Sequence, residues 1–208
     1  MDQSNFRDVQ TYSELRNVYR QWLQGKIKTS PTYAGPPNEE TLPYIPQLIR
    51  MNEHGLLTMG SQPGTVELQP DGSVQEQRGY LHTYMYADLV EAISKILPVG
   101  DIIMITDDEE WEDYRHIEGG EDIPVSRVYP SVKDYNLRRN AEDVTWFPTP
   151  SISDRSHWDI ILYHISPKSH LRNENQKPIL VMFLDPIWGR EGRIFDVITY
   201  ALTLITNS

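Results

Sequence analysis

The chain of 208 residues has no cysteine. That removes disulfides, thiolate zinc sites, iron–sulfur clusters and a cysteine nucleophile together. Long apolar runs are also missing. The longest are strand-sized, and none approaches the ~18 residues of a membrane-spanning helix. The start, Met1 to Phe6, lacks the basic-then-apolar pattern of a signal peptide. The expectation is no membrane and a cytoplasmic address, host cytoplasm if the source is viral. A phosphate-binding P-loop, a dinucleotide fingerprint, the calcium-loop pattern and a paired-histidine zinc helix are absent too. No cofactor and no metal ligand set is therefore expected.

Positive charge is scarce. The formal net charge is −11, and nine acidic residues between Asp107 and Asp122 stand against the single Arg115. That stretch supplies −8 and leaves −3 for the rest. A phosphate backbone is held by Lys and Arg, so non-specific nucleic-acid binding is not expected. A basic protein partner suits the acidic stretch, which makes an interaction or inhibitor protein the alternative functional class.

What is present fits one domain of α+β class, with a mixed or mainly antiparallel sheet packed against four to five helices. A three-layer α/β fold is the alternative. Thr11 and Glu14 have capping-box spacing at the head of a helix expected over 12–27. A second helix is expected from Asn38 to His54, broken or delayed at Pro46. Strands are expected at 56–59, 66–69 and 74–86, the last two joined by Pro70-Asp71-Gly72-Ser73. Helices are expected at 87–97, 109–117 and 192–206. Strands are expected at 102–106, 158–165 and 179–184, and the stretch 124–156 reads as irregular apart from a short strand at 125–129.

Chemistry concentrates between Leu56 and Tyr86. Gly60 and Gly64 bracket Ser61-Gln62-Pro63, where backbone amides can approach a ligand with no Cβ in the way. The alternative is a tight turn that needs glycine for its backbone alone. In an extended strand, Arg78, Tyr80, His82 and Tyr84 share one face. Arginine grips phosphate in a fork, tyrosine stacks on a base, and histidine moves protons near neutral pH. The expected site has Gln62, Gly64, Arg78, Tyr80 and Tyr84 as binding residues for a small phosphorylated ligand. His82 and Ser61 are the catalytic candidates. The alternative is a half-exposed sheet face of ordinary strand residues. Ser61 lacks the Gly-x-Ser-x-Gly elbow. Asp185 ends a strand before Pro186-Ile187-Trp188-Gly189-Arg190, another place where functional carboxylates occur.

The run Thr58-Met59-Gly60-Ser61-Gln62-Pro63-Gly64, followed by Gln77-Arg78-Gly79-Tyr80, resembles the core of an uncharacterised bacterial domain family with a T-x-x-SQPG segment before a QR-x-Y strand. The resemblance spans roughly the first ninety residues. It implies that Ser61, Gln62, Pro63, Gly64, Gln77 and Arg78 act as a unit, and it brings no activity with it.

Overall fold

The computed structural model describes residues 4–97, 102–106, 124–136, 145–148, 156–172 and 177–207. The acidic stretch 107–122, and the helix expected at 109–117, lie outside the described residues.

The N-terminal half opens with a short turn of helix, α1 (Ser4–Arg7), and then α2 (Tyr12–Leu23). The capping box is formed: Glu14 N donates to Thr11 Oγ1, and Thr11 N donates to Glu14 Oε2 at 3.2 Å. Leu15, Val18, Tyr19, Trp22 and Leu23 bury one stripe of α2. The helix stops at Leu23 rather than running on to Ile27, because Gly25 turns left-handed at φ 70°. Pro43 and Pro46 split the next helix into a 3-10 segment, Glu39–Tyr44, and α3 (Ile45–Glu53).

A long antiparallel ribbon follows, and it changes sheets halfway. Its lower part pairs β1 (Leu57–Gln62) with β4 (Tyr80–Met85). Its tip pairs β2 (Thr65–Leu68) with β3 (Val74–Gln77). The sequence suggests one strand over 74–86; the structure breaks it at Arg78 and Gly79. It also draws Gly60, Ser61 and Gln62 into β1, so the expected loop shrinks to Pro63 and Gly64. After α4 (Ala87–Ile96) come β5 (Ile103–Thr106), β6 (Pro124–Tyr129), α5 (Val132–Asn136), β7 (Thr145–Pro148), α6 (Ser156–His164), β8 (Ile179–Leu184) and α7 (Arg193–Thr206). The strand expected at 125–129 is β6, and the rest of the stretch expected to be irregular also holds α5 and β7.

The fold is α+β, with strands that pair antiparallel throughout the described residues. One sheet has the order β1-β4-β8-β5 and the other β2-β3-β6-β7. All six residues of β8 are buried, so both faces of the first sheet are covered at its centre. The main core joins that sheet to α2, α3, α4, α6 and α7. A smaller cluster of Ile105, Val125, Met182 and Leu184 joins it to the second sheet through β6. No helix among the described residues is long and apolar enough to cross a membrane.

The segment 158–165 is helix, not the strand its β-branched and aromatic content suggests. Trp158, Ile161, Leu162 and Ile165 recur at steps of three and four and pack into the main core. Arg172 closes the helix end by donating to the carbonyls of Leu162, Ile165 and Ser166. Side-chain periodicity outweighs strand propensity here, because propensity is the weaker term once an apolar face has a core to meet.

Gly64 sits where two backbones touch. A Cβ there would lie 2.8 Å from the Arg190 carbonyl oxygen, and the loop after β8 has no flexible side-chain end at that point to give way. Gly64→Ala is expected to cost about 1–3 kcal/mol by overpacking. That corresponds to a loss of several degrees in melting temperature, read by calorimetry. An unchanged midpoint would mean that the 185–192 loop yields freely, and the close approach would then place no constraint on this position.

Candidate functional site

The break at Arg78 and Gly79 is where the two sheets part, and a loop after β8 is fastened across it. Asp185 N donates to Gly79 O at 2.8 Å, and Gly189 N donates to Gln77 O at 3.0 Å. The two acceptors flank Arg78 in the chain, and the two donors flank Trp188. Gly189 is left-handed at φ 69°, with a Cβ position only 2.5 Å from the Val66 side chain, so the bend requires glycine.

This fastening brings Arg78 and Trp188 together. The Arg78 guanidinium lies over the Trp188 ring, 4.2 Å from its centroid. Arg127 reaches the same ring from β6 at 4.1 Å. Guanidiniums at this range gain from the ring quadrupole and from stacking. Arg127 faces Glu76 directly across the β3–β6 ladder. Its Nε at 2.8 Å and its Nη2 at 2.6 Å both meet Oε2 of that carboxylate. The Glu76 carboxylate is buried, with 1% of its side chain exposed.

A second carboxylate, Asp185, is wholly buried at the end of β8. Its Oδ1 accepts from Ile187 N at 2.9 Å, which bends the chain into an Asx turn. The same oxygen accepts from Nε and Nη2 of Arg190. Arg193, at the head of α7, places Nη1 3.8 Å from Asp185 Oδ2. Four arginines, two carboxylates and one tryptophan thus meet around the sheet junction. Burial pulls the Arg78 pKa below its ordinary value, and Arg127 pulls it further, while Asp185 and Glu76 act in the opposite sense.

The other expected site residues take different positions. Tyr80 and His82 share a face of β4, with ring centroids 5.3 Å apart. Burial, with Tyr33 and Glu40 nearby, raises the Tyr80 pKa. Tyr84 continues that face but is buried in the main core, 5.0 Å from the Trp158 ring. Gln62 pairs with Tyr80 across the β1–β4 ladder. Gly64 lies beside Gly79, whose Cβ position is 3.3 Å from Gly64 N. Ser61 borders a separate small cavity of about 30 Å³ with Trp22, Tyr33, Asn38 and Thr41. That is room for about one water, against a few hundred Å³ for a nucleotide-sized ligand. The structure therefore places Gly64 and Arg78 at the junction, and Ser61 at a different surface.

Glu76, Arg127 and Arg193 are the residues that the sequence alone did not single out, and Trp188 and Arg190 entered only as part of the turn after Asp185. The available signal was Asp185 at a strand end before a Pro–Gly turn. A family model described as a domain of unknown function (DUF6919) matches residues 1–118. The match takes in Glu76, Arg78 and the Ser61–Gly64 segment, and it stops before Arg127 and the 185–193 loop. No curated protein matches the chain. With more than half of its length matched, the chain belongs to the DUF6919 family of domains of unknown function.

Proposed function

We propose that this domain binds a small phosphorylated molecule, of nucleotide or sugar-phosphate type, at the junction of the two sheets. The observation that supports it most is the pairing of Arg78 and Arg127 on the Trp188 ring in a chain of net charge −11. Holding two guanidiniums together under partial burial is unfavourable by itself, as the lowered Arg78 pKa reflects. An anion docking there regains that cost, and arginine forks match phosphate oxygens in shape as well as charge.

The test is ligand-induced thermal stabilisation across a panel of nucleotides and sugar phosphates. At a ligand concentration of about 100 Kd the stabilisation is about 2.7 kcal/mol. For a chain of this size that raises the melting temperature by roughly 5–10 °C. Arg78→Ala removes a charge-assisted contact worth about 1.5–3 kcal/mol, and weakens binding roughly 10- to 100-fold. No stabilisation by any phosphorylated compound, or equal stabilisation of wild type and Arg78→Ala, would overturn the proposal.

A further inference from the structure

We propose that the groove between α2 and the end of α3 binds a small carboxylic acid, whose carboxylate is held by Arg16 and Arg20. The groove shares no residue with the sheet junction, so the proposal stands apart from the phosphate reading above.

The argument begins with one side of α2. Ser13, Arg16, Asn17 and Arg20 recur at steps of three and four and form a polar stripe beside the buried one. With Glu14, Asn52 and Glu53 they line a groove of about 310 Å³. That volume is at the lower end of the range for small-molecule sites, and about ten times that of the cavity at Ser61.

Arg16 sets the chemistry. Its guanidinium lies over the Tyr12 ring, 5.4 Å from the centroid, and Tyr12 is fixed in turn by donating its hydroxyl to Tyr84 O at 2.5 Å. Arg16 Nη1 donates to Asn52 O at 2.5 Å and to Glu53 O at 3.3 Å, which closes the end of α3. Both acceptors are neutral carbonyls, and Arg16 has no ion pair among the described residues. A helix end supplies only about half a unit of negative charge, so the half-buried guanidinium lacks a full counter-charge. Arg20 gives Nη2 to Glu53 Oε1 at 2.7 Å. The Nε of each arginine is buried without a hydrogen-bond partner among the described residues, as is Asn52 Oδ1. Buried polar atoms are satisfied in the large majority of cases, so three at one groove point to a polar occupant. Burial pulls the Arg16 pKa below its ordinary value, Tyr12 and Tyr86 act in the opposite sense, and Arg20 lowers it further. An anion set against both guanidiniums reverses that balance.

The class of anion follows from the two glutamates. Glu14 Oε2 accepts from the amides of Gln10 and Thr11, and Glu53 is taken up by Arg20. Two arginines and two glutamates balance in formal charge. A doubly charged phosphate would place its excess charge beside Glu14 and Glu53, whereas a carboxylate brings a single charge and matches a guanidinium fork. Ser13 and Asn17, whose side chains make no hydrogen bond among the described residues, suit hydroxyl or amino groups elsewhere on such a molecule.

Titration of the isotope-labelled full chain with acetate, glycolate, glycine and inorganic phosphate, followed by amide chemical shifts, tests this. A carboxylate should shift the amides of residues 13–20 and 52–55 saturably, with a dissociation constant of about 1 mM or tighter. Glycolate or glycine binding more tightly than acetate would assign part of the recognition to Ser13 and Asn17; equal affinities would assign it to the arginines alone. Both results support the proposal. Arg16→Gln should weaken binding about tenfold or more, and Arg16→Lys should restore part of it. Asn17→Leu fills the groove from an exposed position and leaves both arginines in place. It should weaken binding as much without lowering the melting temperature, so the test survives an Arg16→Gln chain that fails to fold. The absence of saturable shifts in α2 would overturn the proposal, as would phosphate binding there more tightly than every carboxylate. An Asn17→Leu chain that binds as the wild type does would overturn it as well. Shifts confined to the amides around Arg78 and Trp188 would also overturn it, and would leave the reading of the junction standing.

Discussion

A chain cut after residue 118, where the family match ends, is expected to show no cooperative unfolding transition. The cut removes β8, which lies between β4 and β5 in the first sheet and hydrogen-bonds to both. Without it β5 has no partner in that sheet, and β4 keeps β1 alone. Six residues of β8 are buried, four of them completely. At about 1.5–3 kcal/mol each, their burial is worth roughly 9–18 kcal/mol as an upper bound. Net stabilities of whole domains are only about 5–15 kcal/mol, so the loss exceeds what the remainder holds in reserve. The cut also takes α7, whose Ile194, Phe195, Ile198 and Leu202 close the core against α3, α4 and β4. The measurement is a thermal melt by circular dichroism together with amide proton dispersion for residues 1–118. A cooperative transition near that of the full chain would show that the matched segment folds by itself, and β8 would then be an accessory strand. Recovery of the transition when residues 119–208 are supplied as a second fragment would support the view that the fold needs both halves.

The parts of this fold that the sequence discloses are those governed by local rules. Thr11 and Glu14 announce the start of α2 because a cap is a three-residue event. Asp71 and Gly72 announce the β2–β3 hairpin for the same reason, with Ser73 N donating to Asp71 Oδ1 at 2.9 Å. The α+β class and the run of β8 are equally plain from apolar content. The misreadings have one cause: each depended on what a segment meets rather than on what it is. The helix α6 looks like a strand residue by residue, and only its contacts with Tyr84 and the core fix it as a helix. Arg78 reads as one more alternating strand residue, yet Arg78 N donates to Val125 O at 2.9 Å, and the chain leaves the second sheet for the first there. The Ser61–Gly64 segment reads as one unit, but its first half is β1 and its last residue packs on Arg190. The arginine cluster was legible only as fragments. Arg78 and Asp185 each drew notice alone, while the partners that give them meaning lie about 50 and 110 positions further along from Arg78, beyond any local pattern.

Replacing Arg127 with alanine is expected to destabilise the protein by about 3–5 kcal/mol, the usual cost of leaving a buried charge without its counter-ion. The charge in question is Glu76, whose side chain is 1% exposed and which receives both Nε and Nη2 of Arg127. For a chain of this length the melting temperature should fall by roughly 6–20 °C. Removing both charges should cost far less. In Glu76→Gln with Arg127→Met, the glutamine keeps its hydrogen-bonding capacity, the methionine keeps much of the contact with Trp188, and no charge is left at that cross-strand pair. Denaturant unfolding of the wild type, the two single variants and the double variant gives the coupling energy directly. Strict additivity of the two single changes would mean that water or other groups already screen Glu76, and the ion pair would then not hold the sheet junction together. The same double variant separates the two roles assigned to Arg127. If it folds with a midpoint near the wild type and loses phosphate binding, the guanidinium serves the ligand as well as the fold. If it folds and binds phosphate as the wild type does, Arg127 only braces the junction, and the anion is held by Arg78 without it.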